Sequence, residues 1–291
     1  MENNVLILGA SGSFGSNCAK AFGAAGWRVH EFKRGKEDMS AAAMGMDVIV
    51  NGLNPPNYKG WTTALPQIAR DVTAAAKASG ATLLQPGNVY NYGAQPGEWD
   101  EHTPHLATTR KGKARIHMES VLRDASARDG IQVIILRGGD FLDTVNSGNF
   151  FDFLAGKLDK GKLIYPGRTD IPHAWAFLPD MARAAVGLAE IRASLGDYED
   201  VPFSGHTFTG ESLRAALARC TGRDIRLTGF PWLMMKLLSP VWGLAREMPE
   251  MRYLWDVPHS LSGARLAQLL PEFEGTETQE MLRQVLKSSG E

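Results

Sequence analysis

"VLILGASGSFG", Val5 to Gly15, is the stretch that decides the fold. Val5 to Leu8 is apolar without alternation, which suits a short strand buried on both faces of a parallel sheet. Gly9, Gly12 and Gly15 follow, and then "NCAKAFGAAGW", which reads as a helix with Ala19, Phe22 and Ala25 inward. Each glycine has a task in such a strand–turn–helix unit. Gly9 permits the tight turn, Gly12 lets the backbone approach a pyrophosphate, and Gly15 allows close helix–strand packing. The N–H groups around Ser11, Ser13 and Phe14 would then point at phosphates, helped by the helix dipole. A glycine-rich turn without a ligand is the bland alternative, and the strand–turn–helix setting argues against it.

The next strand, "RVHEF", runs into Lys33 and Arg34. An acid near this strand's end binds the 2′-hydroxyl of NAD, and an Arg accommodates the 2′-phosphate of NADP. Glu31 lies a little early, so the sequence favours NADP(H) over NAD(H), with Arg34 as main contact and Lys33 as support. Arg28 opens the strand at the wrong end and reads as surface. The alternative for Lys33 and Arg34 is a pair of solvated charges.

Strand and helix alternate onward. "EDMSAAAMGM" reads as a helix, "DVIVNGL" as a strand, and "ALPQIARDVTAAAKASG" as a helix closed by Gly80. "ATLLQP" is a strand, Thr109–Asp129 a helix, "IQVIILRGG" a strand. "DMARAAVGLAEIRA" reads as a helix starting after Pro179-Asp180, and Thr209 as the N-cap of a later one. The expected fold class is α/β: a Rossmann-type doubly wound parallel sheet with a small C-terminal substrate lobe. Residues 1–291 form one unit, the lobe coming mainly from 145–175 and 200–291, because the late elements look too short for a separate core.

The 291 residues carry a formal net charge of -1, with 44% hydrophobic and 22% charged residues. That balance argues against nucleic-acid binding, which wants a basic domain. Cys18 and Cys220 have no metal-ligand or redox spacing and read as free thiols of a reducing compartment. The start "MENN" leads straight into a strand and not into a signal segment. The most apolar run, from Phe230, is broken by Lys236 and Pro240, so no membrane segment is expected and the expected location is cytoplasmic. No His pair has helical metal spacing, so no metal is expected. A small-molecule substrate is the expected partner, with a homodimer as the candidate assembly.

The order "VLILGASGSFG", "DVIVNGL", "NVYNYG", "ILRGGDF" and "PHAWAFLPDMARA" resembles the extended or atypical short-chain dehydrogenase/reductases, in particular the NAD(P)-dependent epimerase/dehydratase group. The resemblance covers nearly the whole chain, and G-x-x-G-x-x-G is that family's glycine spacing. It implies a nicotinamide cofactor across the carboxyl ends of the strands. Beyond the glycine turn, Asn51, Gly52, Leu53, Gly87, Arg115, Arg137 and Gly138 would then contact the cofactor. Asn54, Tyr58, Trp99, His173 and Trp175 would face the substrate, with Asp180 near the lobe.

Three departures stand out. "KEDMSAAAMG" leaves room for about one element where the family fits a strand and a helix, which implies a trimmed sheet edge. The family's Ser or Thr before "VYG" is missing, since Gln85, Pro86, Gly87 and Asn88 stand there. Asn88 could orient a substrate oxygen but cannot act as an acid. The Tyr-x-x-x-Lys signature falls on "TRKGKARIHME", Thr109 to Glu119. Counting back from Glu119 puts Arg115 in the Lys slot and Lys111 in the Tyr slot; a second register offers Lys113 and Thr109. Lys111 would serve as general acid if a neighbouring Arg and burial lowered its pKa. Tyr90 is the other candidate donor, against ordinary packing. The expected function is an NADP(H)-dependent oxidoreductase or epimerase/dehydratase-like enzyme for a small polar metabolite. The alternative is a non-catalytic NADP(H) sensor.

Overall fold

Val5, Leu6, Ile7 and Leu8 are fully buried, as the unalternated run requires, in β1 (Asn4–Leu8) of a computed structural model. The structure describes residues 3–55, 60–146, 149–240 and 243–289. The chain continues through α1 (Ser13–Ala24), β2 (Arg28–Glu31), α2 (Met39–Ala43), β3 (Val48–Asn51), α3 (Trp61–Ser79) and β4 (Thr82–Asn88). Then come β5 (Gly97–Trp99), α4 (Arg110–Asp129), β6 (Val133–Gly138), β7 (Asp140–Leu142), α5 (Phe150–Ala155), β8 (Lys162–Tyr165) and β9 (His173–Phe177). Further on lie α6 (Leu178–Glu190), β10 (Tyr198–Pro202), β11 (His206–Phe208), β12 (Arg226–Gly229) and β13 (His259–Leu261).

Six strands form one parallel sheet in the order β10-β6-β4-β3-β1-β2. Helices α1 and α6 cover one face and α3 and α4 the other, each over its own apolar cluster, which is the doubly wound arrangement. Only α2 stands between β2 and β3, so β2 is the sheet's edge. The trimmed edge implied by the short spacing is present. Gly80 closes α3 at φ 74, donating its N–H to Ala76.

One boundary differs. Helix α6 begins at Leu178, with Pro179 and Asp180 inside its first turn. Proline costs no hydrogen bond there. Asp180 is 2% exposed and accepts from Thr276 N and Oγ1 at 2.6 and 2.7 Å. It anchors the C-terminal segment.

The lobe carries the pairings β7–β9–β11, β8–β12 and β5–β13. Its apolar cluster joins Phe151, Leu163, Phe230, Trp255 and Met281 to Val89, Tyr92, Trp99 and Leu142. Residues from the sheet's carboxyl-end connections thus complete the lobe core. Thr209 caps its helix as the sequence implied, accepting from Ser212 N at 3.0 Å.

Candidate cofactor and catalytic site

Four adjacent strands, β1, β3, β4 and β6, end side by side, and the turns that follow them build the site. Gly9 takes φ 78, and its carbonyl accepts from Gly12 N at 2.9 Å. A Cβ on Gly9 would lie 2.8 Å from Gly52 O, one on Gly15 2.2 Å from Gly9 O, and one on Gly52 2.8 Å from Leu8 O. These three glycines bring the turn, α1 and the end of β3 into backbone contact. Gly12 is different. A Cβ there meets nothing nearer than 3.4 Å, so protein packing does not demand glycine at this position. Gly12 is also the N-cap of α1, with no side-chain cap and no acid in the first turn. Ser11 and Gly12 are exposed, while Phe14 and Gly15 are buried beneath them. Uncapped N–H groups at a helix N-terminus attract an anion, so the residues present fit a pyrophosphate.

Lys33 and Arg34 are exposed at the carboxyl end of β2, as is Glu31. The Lys33 N–H donates to Glu37 Oε1 at 2.5 Å, which holds the Glu37 carboxyl below its usual range. A groove of about 720 Å³, lined by Ala10, Ser16, Lys20, Val29, Glu31 and Lys33 among others, runs from the glycine turn along this edge. Asn51 is fully buried and donates to Gln85 Oε1 at 2.6 Å, so its side chain ties β3 to β4. Leu53 is buried and Asn54 exposed, and Tyr58 lies outside the described residues.

Helix α4 resolves the basic run by its faces. Lys111, Gly112, Ala114, Arg115, Met118 and Glu119 are buried; Arg110 and Lys113 are exposed. The register anchored on Glu119 is therefore the inward one, and Thr109 is the N-cap, accepting from Gly112 N at 3.1 Å. Arg115 donates to Asn54 Oδ1 at 3.1 Å and lies 4.6 Å over the Trp61 ring. It sits beneath the loop after β3.

Lys111 is 3% exposed. Its Nζ donates to Glu247 Oε2 at 2.5 Å, Glu250 Oε2 at 2.7 Å and Glu247 O at 3.0 Å. Three acceptors match the three ammonium hydrogens. The expectation of a general acid whose pKa a neighbouring Arg lowers is corrected on the partners: two lobe carboxylates and a carbonyl take the hydrogens of this ammonium.

Arg137 also needs correction. It is fully buried and spends its hydrogens on protein. Nε and Nη2 bond Asp200 at 3.2 and 2.6 Å, Nη1 and Nη2 bond Glu119 at 3.1 and 2.9 Å, and Nη1 bonds Asn88 O at 2.8 Å. All five donors are used, so the side chain fastens β6 to α4, β10 and β4 and has none for a cofactor. His105, Glu119 and Asp200 approach within 4.8 Å of one another, but this guanidinium holds the carboxylates. Gly87 and Gly138 pack as tightly: a Cβ would lie 2.8 Å from Ile135 at the first and 2.8 Å from Ala176 at the second. Asn88 accepts from Tyr90 N at 3.0 Å, and the partly buried Tyr90 ring stacks 6.4 Å from Trp61.

Three residues expected to face substrate lie in the lobe core. Trp99, Trp175 and His173 are 1%, 1% and 2% exposed. Trp99 stands on β5, paired to β13, with its ring 4.6 Å from His259. Trp175 packs edge-on against Phe151 at 5.9 Å. His173 stacks 3.8 Å from Trp255 and bonds Asp140 Oδ2 through Nε2 at 2.9 Å. Strand β9 is covered on both sides, which a reading of its sequence as pocket wall did not allow for. Sequence reasoning passed over Asp140, Glu247, Glu250 and Asp200. For Asp140 a signal existed: an acid two residues past the end of a buried strand, in "ILRGGDF".

No family model matches the sequence, and no curated protein matches it. Solved structures match over nearly all of it. MoeE5, in complex with UDP-glucose and NAD, has a TM-score of 0.77 at 14% identity, covering 98% of this chain and 98% of that one. UDP-glucuronic acid 4-epimerase from Bacillus cereus, with UDP-glucuronic acid and NAD, gives 0.75 at 12%, covering 99% of both. A dTDP-4-dehydrorhamnose reductase from Clostridium acetobutylicum gives 0.72 at 15%, covering 98% of both. The chain has the fold of the extended short-chain dehydrogenase/reductases and epimerase/dehydratases, the group its motifs resemble. Among the described residues, no helix is long and apolar enough to cross a membrane.

Proposed function

We propose that the protein is an NADP(H)-dependent oxidoreductase or epimerase/dehydratase-like enzyme acting on a small polar metabolite. The observation that carries this is Gly12: an exposed, uncapped helix N-terminus where packing leaves room for a side chain and the sequence keeps glycine. The turn N–H groups would hold the pyrophosphate, Arg34 with Lys33 the 2′-phosphate, and Arg115 a ribose oxygen. A nicotinamide bound this way supplies or accepts a hydride at the carboxyl edge of the sheet. Neighbours of this fold are solved with NAD and UDP-sugars, so sugar nucleotides lead the substrate panel. A second reading, an NADP(H) sensor without turnover, draws on Lys111, whose ammonium is bonded to Glu247 and Glu250 where the family has its Tyr.

Parallel titrations with NADPH and NADH, followed by nicotinamide emission, test the cofactor. Arg34→Ala is expected to weaken NADPH about tenfold, roughly 1.4 kcal/mol, and to leave NADH unchanged. Equal losses would remove the 2′-phosphate role. Turnover with any member of a UDP- and dTDP-sugar panel separates the enzyme from the sensor.

A further inference from the structure

We infer that Asp140, held by His173, is the acid–base group of this site in place of the absent Tyr. The inference rests on the nicotinamide site proposed above. Position comes first. Asn88 and Gly138 are in register across β4 and β6, and Asp140 follows two residues later at the same carboxyl edge. From there the chain returns to the glycine turn. Asp143 Oδ1 accepts from Asn17 Nδ2 at 2.8 Å, and Asn146 Nδ2 donates to Ser16 Oγ at 2.9 Å. Residues 138–146 therefore span from Asn88 to the first turns of α1. A cofactor with its pyrophosphate on α1 and its nicotinamide towards Asn88 runs beside this segment.

Chemistry comes second. The Asp140 side chain is 22% exposed, while its partner His173 is 2% exposed. His173 offers Nε2 to the carboxylate, and among the described residues Nδ1 has no hydrogen-bond partner. The hydrogen of this imidazole therefore belongs on Nε2, pointing at Asp140. The ring is fixed by Trp255, stacked at 3.8 Å, with the His259 ring 4.6 Å away. Tyr165 also feels the Asp140 charge. Backbone pairing of β7 with β9 sets Asp140 opposite Trp175, so the strand register does not depend on the His173 bond. Of the other charged groups at this edge, Lys111 and Arg137 are bonded to carboxylates, and Arg115 donates to Asn54 Oδ1.

In the reductive direction the Asp140 carboxyl would give its proton to the substrate oxygen, a bound nicotinamide being the group that supplies the hydride. The carboxylate left behind keeps its bond from His173 Nε2–H, and water returns the proton. His173 is a positioning residue.

Binding of NADP+ and NADPH to wild type, Asp140→Asn and His173→Gln tests this without a known substrate. Oxidised nicotinamide carries a positive charge that a nearby carboxylate stabilises. Asp140→Asn should weaken NADP+ about tenfold and leave NADPH unchanged; it keeps an oxygen for His173, so the fold should hold, as circular dichroism can check. His173→Gln should keep NADPH binding and move the pH midpoint of NADP+ affinity. An unchanged NADP+ to NADPH ratio in Asp140→Asn overturns the inference and spares the cofactor site. No binding of either form by wild type removes the cofactor site, and this inference with it. With a turned-over sugar nucleotide, Asp140→Asn should lose about 100-fold in kcat at similar KM, with partial return in Asp140→Glu; full kcat overturns the role.

Discussion

The glycine turn and the α4–lobe junction lie at the same sheet edge and solve opposite problems. At the turn, polar backbone is left uncapped, and charged side chains stay at the surface. At the junction, Lys111, Glu119 and Arg137 are buried and bonded to one another or to partners far away in sequence. The first leaves its backbone charge open to solvent. The second balances its charges internally, and a buried charge without a partner is costly. Basic residues near a Rossmann site therefore do not by themselves mark ligand contacts.

The largest test of that contrast is Arg137→Met. Removing the guanidinium leaves Glu119 and Asp200 unbalanced inside the protein, and a loss of about 3–5 kcal/mol in urea unfolding is expected. A loss below about 1 kcal/mol would mean that the junction is not held by its charges.

Next come two glycines of one turn with opposite consequences. Gly15→Val forces a Cβ against Gly9 O and should cost about 3 kcal/mol or more of stability. Gly12→Val meets no close backbone and should leave the melting temperature nearly unchanged while abolishing NADPH binding. Normal binding by Gly12→Val would erase the distinction.

His259 gives the pH dependence. Burial first, then the neighbouring His173, push it down to about 3, against a raising hydrogen bond to Val257 O. The unfolded chain takes up this proton near pH 6.5 and the folded chain does not. Stability is thus full above about 6.5 and falls by about 1.4 kcal/mol per unit as pH drops towards 3. Thermal melts of His259→Gln should show a shallower acid slope, and an identical slope would assign the effect to other groups.

Smallest is Lys111→Met. Glu247 and Glu250 are 23% and 16% exposed, so water can rescue them, and a cost of about 1–2 kcal/mol is expected. Faster hydrogen exchange confined to 243–255 would mark a lobe latch. A collapse of kcat with that segment undisturbed would return Lys111 to proton transfer.

Much of this was legible in sequence because it is local. An unalternated apolar run, glycines three apart and the length between "RVHEF" and "DVIVN" determine the parallel sheet, the tight glycine turn and the trimmed edge. Those features depend on backbone geometry within about 15 residues. The count back from Glu119 also found the inward register, because a helix face repeats every three to four residues. What the sequence could not supply was the partner of each charge. Lys111 meets Glu247 and Glu250, Arg137 meets Asp200, and His173 meets Asp140 across separations of 136, 139, 63 and 33 residues. Whether a Lys, Arg or His is a ligand contact, a latch or half of a proton-holding pair depends on what lies within about 3 Å of it. Chain spacing carries no information about that distance; only the packing of lobe on sheet decided it.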